Sequence, residues 1–441
     1  MTVPGDPRDL IDAVEAAAGG ARIVVVGDVM LDEYVVGTVT RTSPEAPVPV
    51  VLADGRRATL GGAGNVAAHL ATFGADVELV GVVGADPDGA EVRELARQQG
   101  IGVDGLLVDD SRPTTRKQRV LAGRQQVVRV DWESTDPVVP DLASRLVAAA
   151  LDRGPADLVV LSDYAKGVVV PDVASAVIGA ARASGIPVLV DPKVPDLSRF
   201  AGATLVKANQ FEFEAAVGRL LGAQPERTAG PAAAELLAGG GFRQVVVTLG
   251  ERGMVAVDGE QPPLVVPPQA REVYDVSGAG DTVLALLALG TVAGLELHDA
   301  ASIAGLAASA VVGRVGVTVP TASDLRAAAR ALGSGKVLDV DDLVAEVGRW
   351  KQAGRRVVFA NGCFDLLHPG HIHLVQAAAA CGDALVVAVN GDASTRQLKG
   401  PDRPLVDQAR RAASLSALAC VDAVTIFDEP DPGALIAALV P

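Results

Sequence analysis

Apolar residues fall into two patterns along the chain. The run RIVVVG at Arg22–Gly27 is β-branched throughout and ends in Gly-Asp, and similar runs return at 77–83, 158–162, 187–191, 204–207 and 244–249. Ala-rich segments of helical spacing lie between most of them. A strand covered on both faces reads as a continuous apolar run, so this alternation predicts βαβ units and a doubly wound α/β sheet. Two stretches, 33–52 and 114–133, alternate polar and apolar residues instead. That period predicts strands with one face in solvent, hence a small β-sheet flap beside the main domain. The strand-helix rhythm lapses over 321–340 and restarts with a helix at 341–353 and a strand at 356–360. These changes divide the chain into a first domain over 1–320, a linker over 321–340 and a second domain over 341–441. Gly333-Ser-Gly-Lys336 falls in the linker; with Val337 after the lysine and no strand before it, it is read as linker rather than phosphate loop.

Length and charge narrow the function classes. At 441 residues the chain exceeds what one core usually serves, and its 49% hydrophobic content is that of a globular protein. A net charge of −16 argues against nucleic-acid or anionic-membrane partners, which need clustered Lys and Arg. The apolar stretch 282–313 is broken by Glu296, His298 and Asp299, so two buried helices are expected there and no membrane span. Only three cysteines and a start without an apolar leader point to the cytoplasm.

The first chemical signal is Asp275-Val-Ser-Gly-Ala-Gly-Asp-Thr282 ahead of a long Ala/Leu helix. Small residues let backbone approach a phosphate, and a helix start offers unpaired N–H groups. Gly278, Ala279 and Gly280 are thus candidates to hold developing phosphoryl charge, and Asp281 is a candidate to take the proton of an attacking hydroxyl. Leu60-Gly-Gly-Ala-Gly-Asn65, Lys207-Ala-Asn-Gln-Phe-Glu212 and Thr248-Leu-Gly-Glu-Arg-Gly253 complete a set of four blocks. A dinucleotide reading of the Gly-Gly-Ala-Gly stretch fails for want of a ribose acid about 20 residues on.

In order and spacing these blocks resemble the ribokinase-like (PfkB) sugar kinases over roughly Arg22–Pro320. The resemblance implies that Asp281 is the catalytic base, that Asn209 and Glu212 stand near a Mg²⁺-phosphate cluster, and that Thr248, Gly250 and Gly253 line the nucleotide, with ATP and Mg²⁺ as cofactors. It places Asp28, Asp32, Gly62 and Asn65 where a sugar is held. Asp163 and Lys166 in SDYAKG, with Lys193 in DPK, sit at strand ends and suit a sugar that already carries phosphate.

The second signal is Asn361-Gly-Cys-Phe-Asp-Leu-Leu-His-Pro-Gly-His371, with His373 just after. A zinc site from Cys363 and the histidines lacks a second ligand pair, so no metal is expected. Imidazoles at a helix start can instead bind nucleotide phosphates. With Asn390 and Asp392, Lys399-Gly-Pro-Asp-Arg403 and Arg411 following in order, the stretch resembles the HxGH, or cytidylyltransferase-like, nucleotidyltransferases. That resemblance assigns His368, His371, Lys399 and Arg411 to the triphosphate and Asn361, Gly362, Cys363, Phe364, Asp365, Asn390 and Asp392 to the nucleotide. His373 is left as a core histidine.

A kinase of the first family fused ahead of a transferase of the second resembles the bifunctional heptose 7-phosphate kinases and heptose 1-phosphate adenylyltransferases. It implies ATP and a sugar phosphate as small-molecule partners, with a homodimer expected through the flap. Such transferases carry a further Lys-Gly-Gly-Asp strand past the position of Pro441, so the second domain is expected to lack its C-terminal end. Open alternatives are a kinase whose C-terminal domain only binds nucleotide or regulates, and the same chemistry on another sugar or base.

Overall fold

The computed structural model describes residues 7–123, 125–151, 154–239, 241–268, 278–312, 319–331, 336–429 and 431–439. Residues 275–277 of the first motif and 333–335 of the linker motif therefore lie outside the described residues. Contacts divide the chain into two units, Met1–Leu325 and Arg326–Pro441. A helix over Ala322–Ala331 occupies part of the stretch read as linker.

The first unit is built on a nine-stranded sheet. Arg22–Gly27 lies inside it, paired in parallel with Asp76–Gly84 on one side and Leu158–Ser162 on the other. Beyond Leu158–Ser162 follow Val188–Asp191, Leu205–Asn209 and Gln244–Thr248, all parallel, then the antiparallel Met254–Val257. Its faces are both covered, as the continuous runs require: Val24 and Val26 join a core with the helices Pro140–Leu151 and Pro171–Ala183, whereas Ile23 and Val25 are fully buried outside that cluster. Every parallel strand thus delivers its carboxyl end to one edge, where the sheet's order reverses around Arg22–Gly27, the usual ligand side of such sheets.

The flap is a separate four-stranded sheet of Val29–Thr42, Pro49–Gly62, Thr115–Ala122 and Gln125–Trp132. Pro49–Gly62 is longer than its polar-apolar alternation suggests and runs straight into the helix Ala63–Thr72. Gln125–Trp132 is exposed along nearly its whole length rather than on one face.

The second unit holds three parallel strands in chain order, Val357–Gly362, Ala384–Asn390 and Ala423–Phe427. Alternate residues of the central strand face opposite cores: Val386 and Ala388 pack on one side, Val387 and Val389 on the other.

A buried histidine joins two helices that carry site residues. His69, on Ala63–Thr72, lies 3.2 Å from Thr282 Oγ1, which donates its own proton to the Gly278 carbonyl at 3.0 Å. Nε2–H is then the donor, and Nδ1 faces no partner among the described residues. Burial pushes the ring down from 6.5 to about 3, so it stays neutral. Below pH 6.5 the unfolded chain takes up a proton that the folded chain refuses, so this contribution to stability falls with pH down to about 3. Between pH 6.5 and 5 the first unit should lose about 2 kcal/mol of stability through this group, and His69→Gln should lose that much less over the same interval, measured by denaturant unfolding.

Candidate functional site

The carboxyl edge of the large sheet gathers most of the residues expected of a kinase. Gly278 takes φ 81°, a left-handed conformation, and so starts the helix Ala279–Val292 with free N–H groups at its first turn. Asp281 sits in that turn, 4% exposed. Its Oδ2 accepts from Asn65 Nδ2 at 2.7 Å and its Oδ1 from the Tyr164 hydroxyl at 2.5 Å. Burial pushes the carboxyl up, and the two donors oppose that shift. Asn65, expected to touch sugar, thus also holds Asp281. Tyr164 was not singled out from sequence, and its partner lies 117 residues away.

A run of alternating charges lies beside the helix start. Lys207 Nζ is 2.8 Å from Asp191 Oδ2, both buried, and a Cβ on Gly280 would stand 3.0 Å from that ammonium. Glycine there lets the backbone pass directly over a cation, which adds to the positive end of the helix. Lys193 reaches Asp191 at 3.4 Å and Glu212 at 2.7 Å. Burial works against its charge, but the two carboxylates prevail and raise its pKa. Asn209 and Glu212 form a reciprocal capping box at the start of Gln210–Val217. Thr248 ends its strand, and Gly250 and Gly253 bend the following turn at φ 60° and 86°. A Cβ on Gly253 would strike the Val266 carbonyl at 2.0 Å, so no other residue fits.

Several residues expected at the sugar site have partners within the protein. Asp28 is consumed by the chain: its carboxylate accepts from the backbone N–H groups of Tyr164 at 2.6 Å, Lys166 at 3.0 Å and Val168 at 3.1 Å, and is 1% exposed. It shapes the SDYAKG loop. Asp32 Oδ1 pairs with Arg119 of the flap at 2.5 Å. Gly62 takes φ 57° as the flap strand turns into Ala63–Thr72, where a Cβ would meet the Asp28 carbonyl at 2.4 Å. Asp163 is buried, its Oδ1 accepting from Ala165 N at 2.8 Å and its Oδ2 without a partner among the described residues, and burial pushes it up to about 6. Lys166 pairs with Glu133 of the flap side at 2.7 Å. A groove of about 630 Å³ lined by Arg182, Pro187, Thr204 and Arg243 opens at the opposite, amino end of the strands and contains none of these groups.

In the second unit His368 stands at the start of Pro369–Ala379, and its ring stacks on His371 at 3.9 Å between centroids. His371 Nδ1 lies 3.1 Å from the Leu366 carbonyl, which fixes Nδ1 as the donor and leaves Nε2 for a ligand. Burial, then the adjacent His368 and Lys399, hold its pKa below the ordinary value. Phe364 adopts φ 46°, which sets its ring edge-on to His371 at 5.3 Å. Asn361 is exposed at the strand end, Gly362 lies under the Phe364 ring, and Lys399 is exposed at the end of Asp392–Lys399.

Three expectations are corrected here. Arg411 is 1% exposed, and its guanidinium donates to the carbonyls of Val406, Cys363 and Asn390 and to Asp392 Oδ1, at 2.8, 2.5, 2.8 and 2.7 Å. It fastens three loops together from a buried position. Asp365 is likewise filled by Arg403 at 2.6 Å and by the N–H groups of Leu405 and Val406. His373 is exposed, because Val375 is the buried residue of its helix. Asn390 is buried between Cys363 Sγ, which donates at 3.7 Å, and Ser394.

Comparison with known proteins agrees with both units. The pfkB carbohydrate kinase family model matches residues 21–324, and the cytidylyltransferase-like model matches 359–438. The bifunctional protein HldE of Azorhizobium caulinodans is 46% identical over 432 residues, which span 96% of this chain and 89% of the relative. The chain belongs to the bifunctional HldE family. The HldE protein of Caulobacter vibrioides is 44% identical, over 98% of this chain and 90% of the relative. Arabidopsis thaliana ribokinase, solved with ribose and ATP, superposes with a TM-score of 0.56 at 22% identity, over 70% of this chain and 98% of its own. Escherichia coli phosphofructokinase-2 gives 0.60 at 22%, over 71% and 99%. The last two share the fold of the first unit.

Because Arg411 is buried and donates to three carbonyls and a carboxylate, Arg411→Met should lower the stability of the second unit by about 3–5 kcal/mol in denaturant unfolding, whereas a group acting on the triphosphate alone would leave stability unchanged.

Proposed function

We propose that the first unit transfers the γ-phosphoryl group of ATP to the anomeric O1 of a heptose 7-phosphate, and that the second transfers adenylyl from ATP to heptose 1-phosphate, releasing pyrophosphate and giving ADP-heptose. The observation that carries the kinase reading is Asp281, held by Asn65 in the first turn of a helix that begins with Gly278-Ala-Gly. There the sugar hydroxyl gives its proton to Asp281 as its oxygen attacks the γ-phosphorus, and the N–H groups of Ala279 and Gly280 with Lys207 meet the charge on the transferred group. A 7-phosphate must be removed by a phosphatase between the two reactions.

Among the described residues no cluster of three metal-ligating side chains is present. This fits Mg²⁺, which keeps its waters and rides on substrate phosphates with few protein carboxylates. Asp191 and Glu212, both beside Lys193, would hold such an ion through its water shell. When bound, it neutralises phosphate charge.

In the second unit a phosphate oxygen of the sugar displaces pyrophosphate directly, with no protein nucleophile. His368, His371 and Lys399 orient the triphosphate, while Arg411 and Asp365 fix the loops that carry them. Among the described residues no helix is long and apolar enough to cross a membrane, and the three cysteines are free, as suits a cytosolic enzyme drawing on cellular ATP. Val36, Val39 and Leu52 are exposed on the flap, and so are Val128, Val130 and Trp132. Exposed apolar residues of this kind support a homodimer through the flap.

Asp281→Asn should cut sugar phosphorylation at least a hundredfold while leaving the ATP dissociation constant within about twofold, and His371→Ala should cut pyrophosphate release comparably. Each variant should spare the other reaction, and near-normal kinase turnover in Asp281→Asn would remove the base assignment. Paired Val128→Glu and Val130→Glu changes should convert a dimer to a monomer in sedimentation; a wild-type monomer at working concentration would refute the flap interface.

A further inference from the structure

Both oxygens of Asp281 are capped by the protein, by Asn65 on one side and Tyr164 on the other. Each oxygen keeps a second lone pair, but Asp281 is only 4% exposed, so the way for a sugar hydroxyl to reach it is to take the place of one donor. The two donors are not equivalent. Asn65 is 2% exposed in the first turn of Ala63–Thr72, between Gly62 and the buried Val66, and its amide carries no proton it could exchange with a substrate. Tyr164 is half-buried, on a loop whose next residue, Ala165, is held at φ 54°. Its ring faces the ammonium groups of Lys193 at 5.1 Å and Lys117 at 5.9 Å, so cations border the place it fills. A phenol donating to a carboxylate oxygen is also the geometry that a sugar hydroxyl must adopt there.

We propose that Tyr164 is a positioning residue that stands in for the acceptor hydroxyl: in the sugar-free enzyme its phenol occupies Oδ1 of Asp281, and the incoming sugar displaces it. This rests on the kinase reading above. Tyr164 transfers no proton in the reaction; it only releases the oxygen that the sugar hydroxyl then uses. A donor to the charged form lowers a carboxyl pKa, so removing it raises the pKa of Asp281.

The test is the pH dependence of Tyr164→Phe on the full chain, with ATP saturating and heptose 7-phosphate varied. The acidic limb of kcat/KM reports the free enzyme and that of kcat the sugar complex. Displacement predicts that the kcat/KM limb moves up by about one pH unit, the scale of a hydrogen bond to a charged acceptor, while the kcat limb stays in place. Equal movement of both limbs would mean that Tyr164 stays on Asp281 through turnover, and no movement would mean that it holds nothing; either result overturns the proposal. Loss of activity in Asp281→Asn is read separately, so a failed base assignment is not mistaken for a failed displacement. Should Tyr164→Phe not fold, the wild-type protein serves, since it has only three tyrosines. Heptose 7-phosphate added without nucleotide should give a tyrosine ultraviolet difference spectrum as the phenol leaves a carboxylate, and a flat difference spectrum would overturn the idea.

Discussion

The carboxylate of Asp28 accepts three backbone N–H groups from residues 164–168, and much of the kinase unit depends on that clamp. It sits just past the central strand, where the order of the sheet reverses, and it draws the loop after Leu158–Ser162 across that point. With the loop in place, Tyr164 meets Asp281 and Lys166 meets Glu133. Burial alone would drive the Asp28 carboxyl to its neutral form; the three backbone donors work against that. A neutral amide of the same shape could not accept at all three positions, since half of its polar end donates.

The nucleotidyltransferase unit solves the same problem with the opposite charge. Arg411 binds three carbonyl oxygens and a carboxylate from the segments around Cys363, Asn390 and Val406. In both units a buried ion fixed by main-chain groups sets the loops, while Lys399 stays exposed and His371 meets the Leu366 carbonyl through Nδ1.

The sheets were legible because strands buried on both faces read as unbroken apolar runs, and the two anion sites because Gly-Ala-Gly-Asp and His-Pro-Gly-His each open a helix. The flap was legible in kind but not in extent, since the exposed end of Pro49–Gly62 leaves no burial pattern to follow. Asp28, Asp365 and Arg411 have protein partners that the sequence did not reveal, for one reason. A polar residue beside a motif looks the same in sequence whether it binds a substrate or a distant N–H group or carbonyl. Tyr164 escaped because nothing local to SDYAKG reveals which carboxylate its hydroxyl reaches. His373 follows His371 by two positions, which on a helix turns it to another face, here the solvent.

The flap strand Pro49–Gly62 and the helix that carries Asn65 are one uninterrupted segment, joined at Gly62, with Ala63 N anchored 3.0 Å from the Asp28 carbonyl. The flap and the amide that holds Asp281 are therefore a single lever with its fulcrum at that glycine, so a shift at the root of the flap reaches the carboxylate through main chain alone.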